Sequence, residues 1–256
     1  MRLFRPSYAP LLLCSALLLA RAASADDLLL CADDALPGRV AVSASLLSAE
    51  YLHFFANGYQ ASGGVSTYSA GPFHRTLALG TALLPLASRL KLALEAKGGA
   101  AGADDYHYTQ YEGSAQLIYT LAPRTYIAAG DHYLSDGLAS GSLADVSVTQ
   151  VLARRFTVMA KLLTTASGNL NSNAAYLQAD YYGEWHWIAG AAVGHANPWL
   201  NQFFEDSAGH FSQVFGGLGF DNYGLPITVY LKHYSSASIQ QWELALLIKL
   251  PLRAGQ

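Results

Sequence analysis

The chain has 256 residues, 15 Lys plus Arg against 18 Asp plus Glu for a formal net charge of −3, and 13% charged against 52% hydrophobic residues. A soluble globule carries about 25% charged residues and a nucleic-acid-binding chain is basic, so the composition argues against the first and excludes the second. Beyond the N-terminus no stretch is continuously apolar for the ~20 residues a membrane helix requires; the hydrophobicity is spread in another way.

The N-terminus reads as a secretory signal peptide, residues 1–25: Arg2 and Arg5, the apolar run from Leu11 to Leu19, then Ala23-Ser24-Ala25 before Asp26-Asp27. Cleavage after Ala25 follows the small-x-small rule. Removal takes away Arg2, Arg5 and Arg21 but no acid, leaving twelve basic against eighteen acidic residues, a balance of −6. Segment 26–38, with Asp26, Asp27, Asp33 and Asp34, is expected to be a periplasmic N-terminal leader. Cys14 departs with the signal, and Cys31 is expected as an unpaired thiol near the periplasmic mouth, with no partner for a disulfide or a metal.

Residues 39–252 carry a period of two. In Arg89-Leu-Lys-Leu-Ala-Leu-Glu-Ala-Lys97 the odd positions Arg89, Lys91, Glu95 and Lys97 are charged while Leu90, Leu92, Leu94 and Ala96 are aliphatic. Successive side chains of an extended chain point to opposite faces, so this segment has one apolar and one charged face. The pattern recurs in 107–121, where Tyr108, Gln110, Glu112, Ser114 and Gln116 oppose Tyr111, Ala115, Leu117, Tyr119 and Leu121. It recurs again in 226–236 and in the final strand, where Gln241, Glu243 and Lys249 oppose Trp242, Leu244, Leu246 and Ile248.

About twelve strands are predicted, at 39–54, 74–87, 89–99, 107–121, 125–135, 142–152, 155–166, 174–182, 185–196, 210–222, 226–236 and 239–250. They have the length that crosses a bilayer at a tilt. The fold class is all-β, a transmembrane antiparallel barrel in up-and-down meander. Short joins alternate with longer ones, which predicts Ala122-Pro123-Arg124 as periplasmic and the Gly- and Ser-rich segment 55–73 as an external loop. A soluble β-sandwich or lipocalin-like barrel also alternates, but its charged face would point outward, and these polar sets, rich in Gln, Tyr, Ser and paired charges, suit a lumen. Tyr106, Tyr108, Tyr181, Tyr182, Trp185, Trp187 and Trp242 fall near strand ends, where interfacial girdles sit.

The lumen sets bring together Lys91, Lys97, Lys161, Lys232 and Lys249 with Glu95, Glu112, Asp145, Asp180 and Glu243. Opposite charges in one narrow space pair across strands, which predicts a salt-bridged, largely filled interior over a conducting pore, about twelve strands falling between filled eight-stranded and open sixteen-stranded barrels. The enzymatic alternative rests on His233-Tyr234-Ser235 and the later Glu243. These residues resemble the lipid A deacylase family of outer-membrane barrels, whose His-x-Ser dyad and downstream Glu act on acyl esters from the lipid side. The resemblance implies His233 as base and Ser235 as nucleophile. Parity, however, puts His233 and Ser235 on the lipid face with Val229 and Leu231, and Glu243 on the lumen face. No catalytic, cofactor-binding or metal residue is therefore assigned. His53, His74, His107, His132, His186, His195 and His210 show no metal-ligand spacing, and Gly216-Gly-Leu-Gly219 lies within a strand rather than opening a helix, giving room for close backbone approach.

Tyr126-Ile-Ala-Ala-Gly-Asp-His-Tyr-Leu-Ser-Asp136, Ala174-Ala-Tyr-Leu-Gln-Ala-Asp-Tyr-Tyr-Gly183 and Gly190-Ala-Ala-Val-Gly-His-Ala-Asn-Pro198 together resemble the YaiO-type outer-membrane β-barrel family. That resemblance implies a Gram-negative outer-membrane barrel with a structural, transport-related or envelope-interaction role, in a setting linked to exopolysaccharide export. The implied partners are outer-membrane lipid, the barrel-assembly machinery and an envelope polysaccharide system, with no nucleic acid.

Overall fold

The computed structural model describes residues 26–36, 44–55, 57–70, 72–103, 106–135, 140–168, 172–195, 209–222, 225–236 and 240–252; segment 1–25, expected as a signal peptide, lies outside them. The described elements are all strands: β1 (Asp26–Leu36), β2 (Ala44–Phe54), β3 (Gln60–Ala70), β4 (Phe73–Ala87), β5 (Leu90–Ala103), β6 (Tyr106–Ala122), β7 (Thr125–Ser135), β8 (Ser140–Ala153), β9 (Phe156–Gly168), β10 (Asn173–Tyr182), β11 (His186–His195), β12 (His210–Asn222), β13 (Leu225–Ser236) and β14 (Gln240–Leu252). Each pairs antiparallel with its sequence neighbours, and β1 pairs with β14, closing a fourteen-stranded barrel.

The wall turns a soluble protein inside out. Leu47, Leu117, Val146, Leu162, Leu177, Val193, Val214 and Leu231 are exposed on its outside, whereas Arg75, Lys97, Asp145, Lys161, Lys232 and Glu243 are buried. Every Lys and Arg within a described strand lies on the lumen face. An apolar outer surface that runs around the whole wall needs a hydrocarbon solvent.

Two expectations are corrected. Segment 26–38 is not a leader: residues 26–36 form β1, hydrogen-bonded to β14 on one side (Leu30 opposite Ile248) and to β2 on the other (Leu30 opposite Ala49). Cys31 therefore lies within the wall, packed against the cluster of Ile188, Tyr230, Ala245 and Leu247. Segment 55–73 is not an external loop either. Residues 60–70 form β3, and the tight turn at 55–59 lies at the end of the barrel that holds Asp26, Leu252 and the 123–124 turn. The strand count is thus fourteen rather than about twelve. Gly and Ser lower strand propensity, but a closed ladder needs a strand between β2 and β4, and Gly64 is the residue that fits: a Cβ there would stand 2.2 Å from the Ala49 carbonyl oxygen.

One end of the barrel, the turn end, carries the turns 88–89, 123–124, 154–155 and 183–185, residues 57–59 and both ends of the described chain. The other, the loop end, holds Ala70, Phe73, Ala103, Tyr106, His195 and His210. Short turns mark the periplasmic side of such barrels.

Two outcomes check this architecture. Replacing residues 26–36 by a Gly/Ser linker removes two ladders at once and should abolish the compact, heat-modifiable band on electrophoresis. Leu177→Arg puts a charge on the exposed outer face of β10 and should cost about 2–4 kcal/mol, read by urea unfolding in lipid vesicles.

Candidate functional site: the lumen wall

The inner wall is built in layers, because residues two apart on each strand share the lumen face. Near the loop end Leu46, Tyr68, Phe73, Ala101 and Ala103 cluster, with Tyr108 packed against them. A second cluster contains Ala174, Ala192, Phe211 and Tyr234, with Tyr176 against it, and the Phe211 and Tyr234 rings stack at 5.7 Å. In a ring of fourteen strands the arcs β2–β6 and β10–β13 face each other across the lumen. Two aromatic walls therefore oppose each other toward the same mouth.

Below them lies a belt of charge. Lys97 Nζ is 2.5 Å from Glu95 Oε1 and 3.5 Å from Glu112 Oε2, and Arg75 stands 4.0 Å from Glu112. Asp145, its side chain fully covered, is 2.9 Å from Lys161 Nζ and 3.1 Å from His132 Nε2, and accepts a hydrogen bond from Gln116 at 2.9 Å. Lys232 pairs with Glu243 across the β13–β14 ladder. Nearer the turn end Lys249 lies 2.5 Å from Asp27, and Ser62 donates to Glu50.

β6 and β10 repeat one arrangement, Tyr108-x-Gln110-x-Glu112 and Tyr176-x-Gln178-x-Asp180. In each the Gln amide donates to the carboxylate two residues on, at 2.6 Å in β6 and at 3.0 Å in β10. The physical reason is the same throughout. A carboxylate held in a low-dielectric wall must be met by a cation and by hydrogen-bond donors.

The lumen set read from sequence is thus assembled: Lys97, Lys161, Lys232, Lys249, Glu95, Glu112, Asp145, Asp180 and Glu243 all carry ion pairs or hydrogen bonds on the inner wall. Lys91 shares the face of Lys97 near the turn end and is exposed. Sequence reasoning missed Asp27, placed in the leader, and also Arg75 and Glu50; alternation with Phe73 and Leu77, and with Leu46 and Leu52, was the available signal. The girdle assignment is divided. Tyr106, Tyr181, Trp185, Trp187 and Trp242 are exposed aromatics, but Tyr108 joins the lumen cluster and Tyr182 stacks on His186 at 4.3 Å.

The structure does not bring His233, Ser235 and Glu243 together. His233 pairs with Val214 and Trp242 on the outer face, its ring 4.5 Å from the indole. Ser235 sits between Ser212 and Gln240, and Glu243 is 4% exposed on the opposite face, held by Lys232. Of the other histidines, His132 and His186 lie on the lumen wall beside Asp145 and Asp180, and His195 and His210 meet edge to face at 5.5 Å. Among the described residues no group of three His, Cys, Asp or Glu could hold a metal ion. Gly216-Gly-Leu-Gly219 lies inside β12, where a Cβ on Gly217 would stand 2.5 Å from the Tyr230 ring.

Solved structures share this architecture. The chain is similar to the Ralstonia pickettii toluene transporter TbuX (TM-score 0.62, 9% identity, covering 91% of this chain and 90% of that one). It is similar also to the monoaromatic hydrocarbon channel CymD (0.61, 12%, 89% and 88%) and to the P. putida toluene transporter TodX (0.59, 10%, 91% and 92%). The fold is that of an outer-membrane β-barrel. No known sequence family matches the chain, and no curated protein does.

A double-mutant cycle measures the wall chemistry. Lys232→Met leaves Glu243 buried without its cation and should destabilise the barrel by about 3–5 kcal/mol, whereas Lys232→Met with Glu243→Leu should recover most of that loss, as read by urea midpoints in vesicles.

Proposed function

We propose that this protein is a passive channel for small solutes in the outer membrane of a Gram-negative bacterium. The observation that carries the reading is a closed fourteen-stranded ring whose inner wall is charged and hydroxylated. Eight-stranded barrels are filled by their own side chains and sixteen-stranded ones leave an aqueous channel; fourteen lies near the open end of that series. The lumen charges are balanced by near neighbours, so no strip of one sign runs along the wall to select one ion over another. The transport roles in the names of the similar structures support the same class of function. Residues 1–25 serve as the export signal in this reading, and the barrel-assembly machinery inserts the mature chain. The resemblance to YaiO-type barrels favours a setting alongside an envelope polysaccharide system.

The hydrolase alternative is the weaker reading, because a His-x-Ser dyad without an acid on its own face lacks the group that would orient the histidine.

Planar-bilayer recording of the refolded protein tests the proposal: discrete conductance steps with a reversal potential near zero in a salt gradient are expected, and folded protein without conductance would refute it. Mass spectrometry of envelope lipids should show unchanged acyl chains on overproduction of the wild type. A lost acyl chain that returns in both His233→Ala and Ser235→Ala would restore the enzyme reading.

A further inference from the structure

Three consecutive turns at the turn end repeat one sequence: Leu86-Ala-Ser-Arg89, Leu121-Ala-Pro-Arg124 and Leu152-Ala-Arg-Arg155. They repeat one pattern of register and hydrogen bonding as well. Each ladder shifts register at the leucine, between Pro85 and Ala87, Thr120 and Ala122, and Val151 and Ala153. Each terminal arginine offers its carbonyl to the next strand, from Thr120 N–H to Arg89, from Val151 N–H to Arg124 (both 2.8 Å) and from Tyr182 N–H to Arg155 (2.7 Å). The turns are thereby tied into one row along the rim, two strand spacings or roughly 10 Å apart.

The side chains of this row are unusual for the molecule. Leu86, Leu121 and Leu152 are 53%, 52% and 59% exposed at the edge of the apolar wall. Arg89, Arg124, Arg154 and Arg155 are exposed, and among the described residues none of them is ion-paired. The in-strand cations all face the lumen, and these four arginines are the basic residues of the described turns at the rim. Elsewhere on the same rim acids are exposed instead, Glu184 in the next turn along and Asp221 at the end of β12 on the far side.

We infer that the β4–β9 arc of the turn end is a docking crescent for anionic phospholipid, with each leucine among the acyl chains and each arginine on a headgroup phosphate. Two features single out a lipid as the occupant. Leucine and arginine stand three residues apart at a wall that ends where hydrocarbon gives way to headgroups, and a guanidinium forks onto phosphate oxygens while its aliphatic stem stays apolar. A soluble acidic partner would meet the arginines but would leave the leucines without a complement.

Native mass spectrometry of the folded protein in detergent, titrated with phosphatidylglycerol or phosphatidylethanolamine, tests this. The wild type should retain phosphatidylglycerol about tenfold more than phosphatidylethanolamine, a preference screened by salt. The variant Arg89→Gln/Arg124→Gln/Arg154→Gln/Arg155→Gln should lose that preference while keeping its heat-modifiable migration. Asp221→Asn, on the far side of the rim, should keep it. Should the quadruple variant fail to fold, Arg154→Gln/Arg155→Gln should still reduce the preference severalfold. Equal retention of the two lipids by the wild type, or an unchanged preference in the arginine variants, would overturn the inference. So would complete displacement of phosphatidylglycerol by millimolar inorganic phosphate, which would make this an anion site rather than a lipid site.

Discussion

In a bilayer no water reaches an unpaired backbone group, and each one left in hydrocarbon costs several kcal/mol, so a sheet can cross only if its hydrogen-bond ladder closes. β1 is the strand on which closure depends here. It is bonded along its length to β14 and to β2, and without it two strand edges would face lipid. Closure in turn fixes inside and outside for every residue. With a side-chain period of two, one registered pair per ladder determines which face of the next strand is wet, and the assignment passes around all fourteen strands.

Once the faces are fixed, Asp34 and Asp131 stand exposed on the outer face nearer the loop end, while the inner wall takes all the Lys and Arg of the described strands and most of their acids. That explains why its charges are so closely matched. Asp145 has Lys161, His132 and Gln116 around one carboxylate, and Glu112 has Lys97, Arg75 and Gln110. Such groups add little net stability over apolar replacements; what they supply is a polar surface along the lumen, which an apolar wall of equal strength would lack. The aromatic clusters at the loop end leave the charge belt deeper in the barrel, so from that mouth inward rings come first and ion pairs second.

The alternation was legible wherever the two solvents demanded opposite residue types, as in Leu90–Lys97 and Gln241–Leu250, and the parity that put Glu243 opposite His233 and Ser235 held in the structure. It failed in β1 and β3 for two different physical reasons. Asp26, Asp27, Asp33 and Asp34 suggested a solvated leader, yet Asp27 is buried against Lys249, a partner more than two hundred residues away in sequence. In β3, Gln60–Ala70 carries small residues because Gly64 must lie against the backbone of β2, and small residues leave a weak alternation signal. Both errors concern pairing across the closure and between neighbours, which a local pattern does not contain. Tyr108 and Tyr182 share the parity of Gln110 and Asp180 and lie on the lumen wall as that parity requires; their assignment to the girdle as well came from tyrosine's suiting either the interface or the lumen.

The leucine-arginine turns show how a local repeat can carry information that no single strand has. A register shift inserts one residue into the outgoing strand, and here the inserted residue is a leucine each time, followed by an alanine that pairs across the turn with Leu90, Thr125 or Phe156. Arg124 takes up a left-handed conformation, φ 74°, after Pro123, while Arg89 and Arg155 reach an equivalent carbonyl bond without it. Different turn residues thus converge on one placement of leucine and arginine. The shared register shift and carbonyl bond, rather than one value of φ, are what bring leucine and arginine to equivalent positions along the row.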